Sequence, residues 1–177
     1  WLFNKEIFAI WDDHDYGLND GGGDYPLKED SEVLFNDFWN IPENDSRRIR
    51  PGVYFKKTIK KADKEILLIG LDTRYFRSNL IKGDNGAYLP NNNPKATILG
   101  TDQWQWLEKT LKGNYDMLIL ATSIQLLATQ HRFEKWSNFP HERQRLLGLL
   151  HDLESEVVVV SGDRHRAGIY RKENIIE

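Results

Sequence analysis

The sequence predicts an α/β fold, and three observations carry that prediction. Apolar runs alternate with amphipathic helical spacings after residue 100, the apolar runs there are continuous enough to be buried parallel strands, and a hairpin in the middle of the chain adds antiparallel character. At 177 residues the chain is about the size of one domain, taken here as 1–177, and large enough to bury a core. Its 40% hydrophobic and 29% charged content is that of a globular protein rather than a disordered one.

The elements follow in chain order. "KEIFAIW" at 5 to 11 is a short apolar run bounded by acidic residues and reads as a buried strand entering a loop. Residues 16 to 28, with "GGG" and then "YP", are irregular, and "DSEVLFNDFW" at 30 to 39 returns to helical spacing. Val33, Leu34 and Phe38 form its apolar face, and Asp30 or Ser31 is the natural N-cap. "PGVYFKKTIKK" alternates with period two and is joined through "ADK" to "EILLIGLDTR", a hairpin. Residues 77 to 100 are dense in turn formers and read as a long loop. Thr101 caps a helix whose Trp104, Leu107 and Leu111 share one face, with Gly113 just beyond its end. "DMLILATS" at 116 to 123 is a strand, and "PHERQRLLGLLHDL" at 140 to 153 is a helix that starts at Pro140 and turns Leu146, Leu149, Leu150 and Leu153 inward. "EVVVVSGDRH" is a further strand, with "GIYRK" as a short partner.

Several function classes are excluded by composition. No apolar run approaches the roughly 20 residues of a membrane-spanning helix. The net charge of -3 and the lack of a long basic block argue against a nucleic-acid or anionic-membrane patch. The nearest candidates are "RRIR" at 47 to 50 and "KKTIKKADK" at 56 to 64, and the second alternates like a strand with one solvated face. The absence of cysteine rules out disulfides and thiolate metal sites within these residues. The sequence shows no leader pattern and no initiator Met, so we expect it to begin inside a longer protein.

Chemistry-bearing residues gather just past strand ends, the edge of an open α/β sheet where ligands bind. "FAIW" runs into "DDHD", "LILAT" into "SIQ" and "VVVVSG" into "DRH". Read alone, "WDDHD" fits a solvated turn as well as a site. Together with "SGDRH" it offers carboxylates and imidazoles from two loops, a donor set suited to Zn, Mn or Fe, or to Ca where oxygens dominate. On an extended backbone Asp163 and His165 point to one face. Asp13 and Asp15 would share one side of their segment, with Asp12 and His14 on the other. A metal there would activate water for attack on a phosphoryl group, with His14 as proton donor and Asp15 fixing its tautomer. His131 and His151 read as surface or satisfied core histidines, and His141 as polarity in a helix's first turn.

Six segments in order, "AIWDDHDYGLND", "LLIGLDTRYFR", "TILGTDQWQWLEKTL", "ILATSIQ", "KWSNFPHERQRLL" and "VVVVSGDRHRAGIY", resemble the alkaline-phosphatase-D-like metallophosphatases, a branch of the calcineurin-like phosphoesterases. That resemblance implies an α/β/β/α sandwich, here incomplete at its N-terminus, and metal-dependent hydrolysis of a small phosphorylated substrate, a phosphomonoester or phosphodiester. It implies Asp13, Asp163, His165 and Asp12 as ligands to divalent or trivalent ions (Fe, Mn, Zn or Ca), His14 as the catalytic histidine and Asp15 as its partner. Gln125 stands where relatives often carry a histidine ligand. Asp72 and Arg74 in "LDTR" match a family signature read here as a salt-bridged structural pair, and Trp136 and Arg143 either line a cleft or pack a helix. The resemblance also admits an exported or periplasmic location. The upstream "GD" motif of such proteins does not precede Trp1, and "GDNGAY" at 83 to 88 is in the wrong place. The rival reading is a truncated, non-catalytic domain whose acidic loop holds a structural Ca ion.

Overall fold

A computed structural model describes residues 6–177. Its centre is a six-stranded sheet in the order β1-β2-β5-β6-β8-β7. The expected hairpin is β1 (Phe55–Lys61) and β2 (Lys64–Gly70), paired antiparallel. Strands β5 (Met117–Ala121), β6 (Glu156–Val160) and β8 (Ile175–Ile176) then add in parallel to β2, and β7 (Arg171–Lys172) closes the edge antiparallel to β8. The fold is thus the mixed α/β class expected. Only Arg171–Lys172 of "GIYRK" is strand, and it pairs with β8 rather than with the expected β6; a small ribbon of β3 (Ile81–Lys82) and β4 (Tyr88–Leu89) lies inside the expected loop.

Alternation along the strands builds the main core. Leu67 and Ile69, Leu118 and Leu120, and Val157 and Val159 point to one face and are buried there. Helix α3 (Gly100–Leu111) lays Trp104, Leu107 and Leu111 on that face, and α4 (Pro140–His151) adds Leu146, Leu147 and Leu150. Leu149 and Leu153 pack at the rim of this core, so α4 is rotated slightly from the expected face. The strands are not buried on both sides as anticipated: Ile66, Leu68, Ile119 and Val158 face the other way and are only half-buried. Among the described residues there is one large sheet, with the two-stranded ribbon as the other.

The first turn of α3 is satisfied from a distance rather than by Thr101. The Glu142 carboxylate on α4 accepts from the N–H groups of Ile98 (2.8 Å) and Leu99 (3.3 Å), from Thr97 Oγ1 (2.9 Å) and from Trp104 Nε1 (2.8 Å). Gly100 N–H donates to Thr97 Oγ1 at 2.8 Å. A carboxylate is well placed against the positive end of a helix, and it locks the two core helices together.

The N-terminal third departs most from expectation. Residues 6 to 12 are irregular and pair with no strand, and residue 5 of the anticipated strand lies outside the described residues. Helix α2 (Lys28–Phe38) starts at Lys28, before Asp30 and Ser31, and its apolar stripe faces outward. Val33, Leu34 and Phe38 are 57%, 69% and 75% exposed, while Phe35 and Asn36 are buried. Two contacts set that rotation. Phe35 meets Trp11 edge to face with centroids 5.3 Å apart, and Asn36 Nδ2 donates to the Arg47 carbonyl at 3.0 Å. Trp11, Tyr16, Phe35, Val53 and Tyr75 form a second, smaller core around this contact.

Strand β5 lies inside the sheet, between β2 and β6, and contributes Leu118 and Leu120 to the main core. Replacing the fully buried Leu120 by alanine is expected to cost about 2–5 kcal/mol, read as a lower urea midpoint with an unchanged slope.

Candidate metal centre

Parallel register brings three strand ends level. Gly70 pairs with Ala121 and Ala121 with Val160. The ladder then continues into the loops, with Leu71 N–H donating to Ala121 O (2.9 Å), Thr122 N–H to Val160 O (2.9 Å) and Gly162 N–H to Ser123 O (3.0 Å). The Thr73 and Ser123 hydroxyls bond at 2.5 Å across the same edge. Residues 72 to 74, 122 to 125 and 162 to 163 therefore stand side by side at the carboxyl end of the sheet.

Against this edge lies the "WDDHD" segment, which is not extended: Asp13–Tyr16 makes one helical turn, α1. Trp11 and Tyr16 pin that turn from either side, both fully buried and edge to face at 5.0 Å. The turn lets Asp12 and Asp13 face the same way despite being adjacent. They meet Asp163, and ligand oxygens of the three carboxylates all lie within 4.8 Å of one another. Asp13 is held in place by accepting from the N–H groups of His14 (2.8 Å) and Asp20 (3.0 Å).

The other named residues lie elsewhere. Asp163 and His165 both have left-handed backbone, with φ of 65° and 50°, so the bend falls on them rather than on Gly162. The alternation that would align them is lost, and His165 is exposed and outside the carboxylate group. His14 is also exposed, with Nε2 3.3 Å from Asn19 Oδ1. The Asp15 carboxylate accepts from the Asp12 N–H at 3.4 Å instead of meeting the His14 ring.

What holds the acidic loop is a buried cluster that the sequence did not disclose. Arg74, Arg77 and Glu134 are all essentially inaccessible to solvent. Glu134 pairs with the Arg74 guanidinium through one oxygen and with Arg77 Nε (2.8 Å) through the other. Arg74 reaches on to Asp12 Oδ1, with Nε at 3.0 Å and Nη2 also in contact. Arg77 donates to the Asp20 carbonyl and accepts from Gly23 N–H at 2.7 Å. Tyr88 adds a bond from its hydroxyl to Asp20 Oδ2 at 2.6 Å. The glycine run gains its reason here, since a Cβ on Gly22 would sit 2.8 Å from the Arg77 carbonyl. Burial opposes the Arg74 charge, but Glu134 and Asp12 outweigh it and hold the guanidinium above its ordinary range. The expected Asp72–Arg74 salt bridge is replaced by a different division of labour. Asp72 accepts from the N–H groups of Val53, Arg74 and Tyr75, each at 2.9 Å, and shapes the turn that aims Arg74 at Asp12. The spacing of Arg74 and Arg77 was a usable signal, whereas Glu134 sits in "HRFEKW", which has no periodicity to mark it.

Trp136 resolves to packing, whereas Arg143 braces the loop before α4 and also lines a second cavity of about 460 Å3. Trp136 is fully buried with Nε1 bonded to Thr122 Oγ1 at 2.9 Å, and Arg143 Nε bonds the Leu126 carbonyl at 2.7 Å. Gln125 is buried with its Nε2 on the Gly162 carbonyl, at the wall of a cavity of about 790 Å3 beside Asp163. His131 lines the same cavity and is neither solvated nor satisfied, because both ring nitrogens are buried without a partner. Burial, with Arg164 and Lys135 nearby, pushes its pKa down to about 4. His141 bonds the Ala96 carbonyl at 2.6 Å, and the exposed His151 pairs with Glu173 at 2.7 Å.

The cluster passes a test of fit for a cation. Its donors are all carboxylate oxygens, suited to hard ions such as Ca, Mn or ferric iron more than to Zn. Burial first, then the Asp12 and Asp13 carboxylates, push the Asp163 carboxyl above its usual range, with Arg74 opposing the shift.

Comparison with known proteins agrees with the fold. A family model for PhoD-like phosphatases matches residues 64–174, which include Arg74 and Asp163, while Asp12 and Asp13 lie ahead of the match. A solved structure of PhoD is similar with a TM-score of 0.64 at 21% identity, over 88% of this chain and 34% of that one. The chain thus spans about a third of the length of that structure, and the likeness is one of fold. No curated protein matches the chain.

Two measurements probe this geometry. Glu134→Gln leaves two buried guanidiniums short of a counter-charge and is expected to cost about 3–5 kcal/mol in urea unfolding. His131 binds protons more readily unfolded (near 6.5) than folded (about 4), so its contribution to stability is present above 6.5 and is lost as pH falls through that window. His131→Gln should therefore flatten the fall in melting temperature between those pH values relative to the parent chain.

Proposed function

The chain belongs to the PhoD-like phosphatase family, and from that premise we propose that it forms part of a metal-dependent phosphoesterase in which Asp12, Asp13 and Asp163 hold the cation. The observation that carries this reading is the convergence of three carboxylates from two loops at the carboxyl edge of a parallel sheet. In this reading residues 1–177 belong to a single catalytic domain, of which they are a part. When bound, the ion supplies positive charge against the charge developing on a phosphoryl group and acidifies a water molecule for attack.

The chain's own residues have distinct tasks. Asp13, fixed by two backbone N–H groups, and Asp163, on its left-handed turn, present oxygens in place before any ligand arrives. Asp12 shares its carboxylate between Arg74 and the cluster, which ties the site to the buried charges below. His14, on the same helical turn as Asp13 and open to solvent, donates a proton to the leaving oxygen, with Asn19 rather than Asp15 steadying its ring. His165 stands outside this ligand set and faces the cavity.

Hydrolysis of a chromogenic phosphate ester with and without chelator, alongside calorimetric titration with Ca and Mn, tests this assignment. Asp13→Asn and Asp163→Asn are each expected to lower kcat/KM by roughly a hundredfold, in keeping with the several kcal/mol a metal ion contributes, and to weaken metal binding in parallel. Full activity in the His14→Ala, Asp163→Ala double variant would overturn it. Calcium binding that needs the same carboxylates but brings no hydrolysis would favour a structural ion in the acidic loop.

A further inference from the structure

Hydrolysis of a phosphoryl group leaves most of the cavity beside Asp163 unused. At about 790 Å3 the space is of the size that encloses most of a drug-sized molecule, roughly 300–1,000 Å3, well beyond the need of a phosphoryl group. Its wall also differs in charge from the carboxylate cluster it adjoins. Arg164 and Arg166 line it, and neither forms an ion pair with a carboxylate among the described residues. The Arg164 guanidinium is held over the Phe133 ring, 4.4 Å from its centroid, which leaves the edge of the fork and its donors available. Glu177, the other acid in the wall, is already engaged, accepting from the N–H groups of Leu126 (2.7 Å) and Leu127 (2.6 Å). Two further polar groups lack partners. Gln125 is 6% exposed and fixed through Nε2, with its Oε1 unpaired, and both nitrogens of His131 are unpaired. Buried polar atoms are ordinarily satisfied, so a wall with several vacant hydrogen-bonding positions is suited to a ligand with matching ones.

We propose that this cavity receives the leaving-group side of the ester and selects leaving groups that carry a second anionic group, with Arg164 as its anchor. The inference rests on the phosphoesterase reading above. A phosphoryl group at the carboxylate cluster sits against Asp163, and the half-open cavity beginning at that residue gives its organic substituent a place to lie. A guanidinium binds a carboxylate, sulfonate or phosphate through two parallel bonds, each stronger than a neutral hydrogen bond. Gln125 and His131 then serve hydroxyl or amide groups in the body of the leaving group.

The test compares 4-sulfophenyl phosphate with 4-methylphenyl phosphate as substrates of the metal-loaded chain, and measures calorimetric binding of 4-hydroxybenzenesulfonate to the metal-free chain. In Arg164→Ala the ratio of kcat/KM for the sulfonated over the methylated ester is expected to fall about tenfold, the size of a lost charged hydrogen bond, with partial recovery in Arg164→Lys. Lys56→Ala, on the exposed edge of β1, should keep the parent ratio. Binding of the sulfonate should weaken about tenfold in Arg164→Ala as well. A parent ratio retained in Arg164→Ala overturns the proposal. If no cation supports hydrolysis, the phosphoesterase reading fails by itself; sulfonate binding that depends on Arg164 would still uphold the cavity assignment, and sulfonate binding that is absent or indifferent to Arg164 would overturn it.

Discussion

One ion cluster governs where the rest of the site can be. Arg74 and Arg77 bring two positive charges into the protein against the single carboxylate of Glu134, all three shielded from water. A buried charge without compensation is far more costly than any one packing defect. The remaining compensation comes from Asp12, bonded to Arg74, and from the Asp20 carbonyl, bonded to Arg77. Both belong to the acidic loop. The loop therefore cannot lift from the sheet edge without uncovering a guanidinium, and the position of Asp12 follows from the charge balance of the core beneath it.

The sheet supplies the other half of the geometry. Because β2, β5 and β6 are parallel and level at their carboxyl ends, Arg74, Gln125 and Asp163 emerge from adjacent strands within one short stretch of edge. Helices α3 and α4 cover one face and are clamped by Glu142, so the strands carrying these residues belong to the larger of the two cores. The acidic loop rests instead on the smaller aromatic core around Trp11 and Phe35. The carboxylate cluster lies at the seam between a stiff platform and an aromatic-backed loop, with the arginine and glutamate cluster as the rivet.

How legible all this was depended on whether the deciding force was local. The strands and helices after residue 100 could be read directly, since "MLILA" and "VVVV" are continuous apolar runs and Trp104, Leu107 and Leu111 recur with a helical period, although the burial of only alternate strand residues could not. The facing of α2 could not be, because its richest apolar stripe, Val33, Leu34 and Phe38, is the exposed one and the inward side is chosen by the long-range partners of Phe35 and Asn36. The grouping of "WDDHD" with "SGDRH" was readable from polar residues gathering after apolar runs, although the strand expected at "FAIW" does not form. Which side chains converge was not, because it turns on a single helical turn at Asp13 and on left-handed backbone at Asp163 and His165. Glu134 left no trace in its neighbours, and its partners are 60 residues away at Arg74.

The same accounting of charge bears on whether the site exists before it is filled. Two like charges about 5 Å apart repel by roughly 3 kcal/mol at an effective dielectric near 20, so three carboxylates within 4.8 Å oppose their own assembly. Arg74 pairs with Asp12 and only partly offsets the charge at Asp163, whose carboxyl remains pushed up by burial and by the neighbouring carboxylates. Something other than a ligand must hold the group together, and the backbone bonds to Asp13 and the buried arginines do so. A cation arriving there does not have to order the loop. It meets a site already organised against repulsion, so the repulsion it relieves adds to its binding instead of being spent on folding the loop. Arg164 beside it follows the opposite logic: among the described residues no carboxylate forms an ion pair with it, so one strand-end turn carries both a carboxylate of the cluster and a guanidinium without an acidic partner.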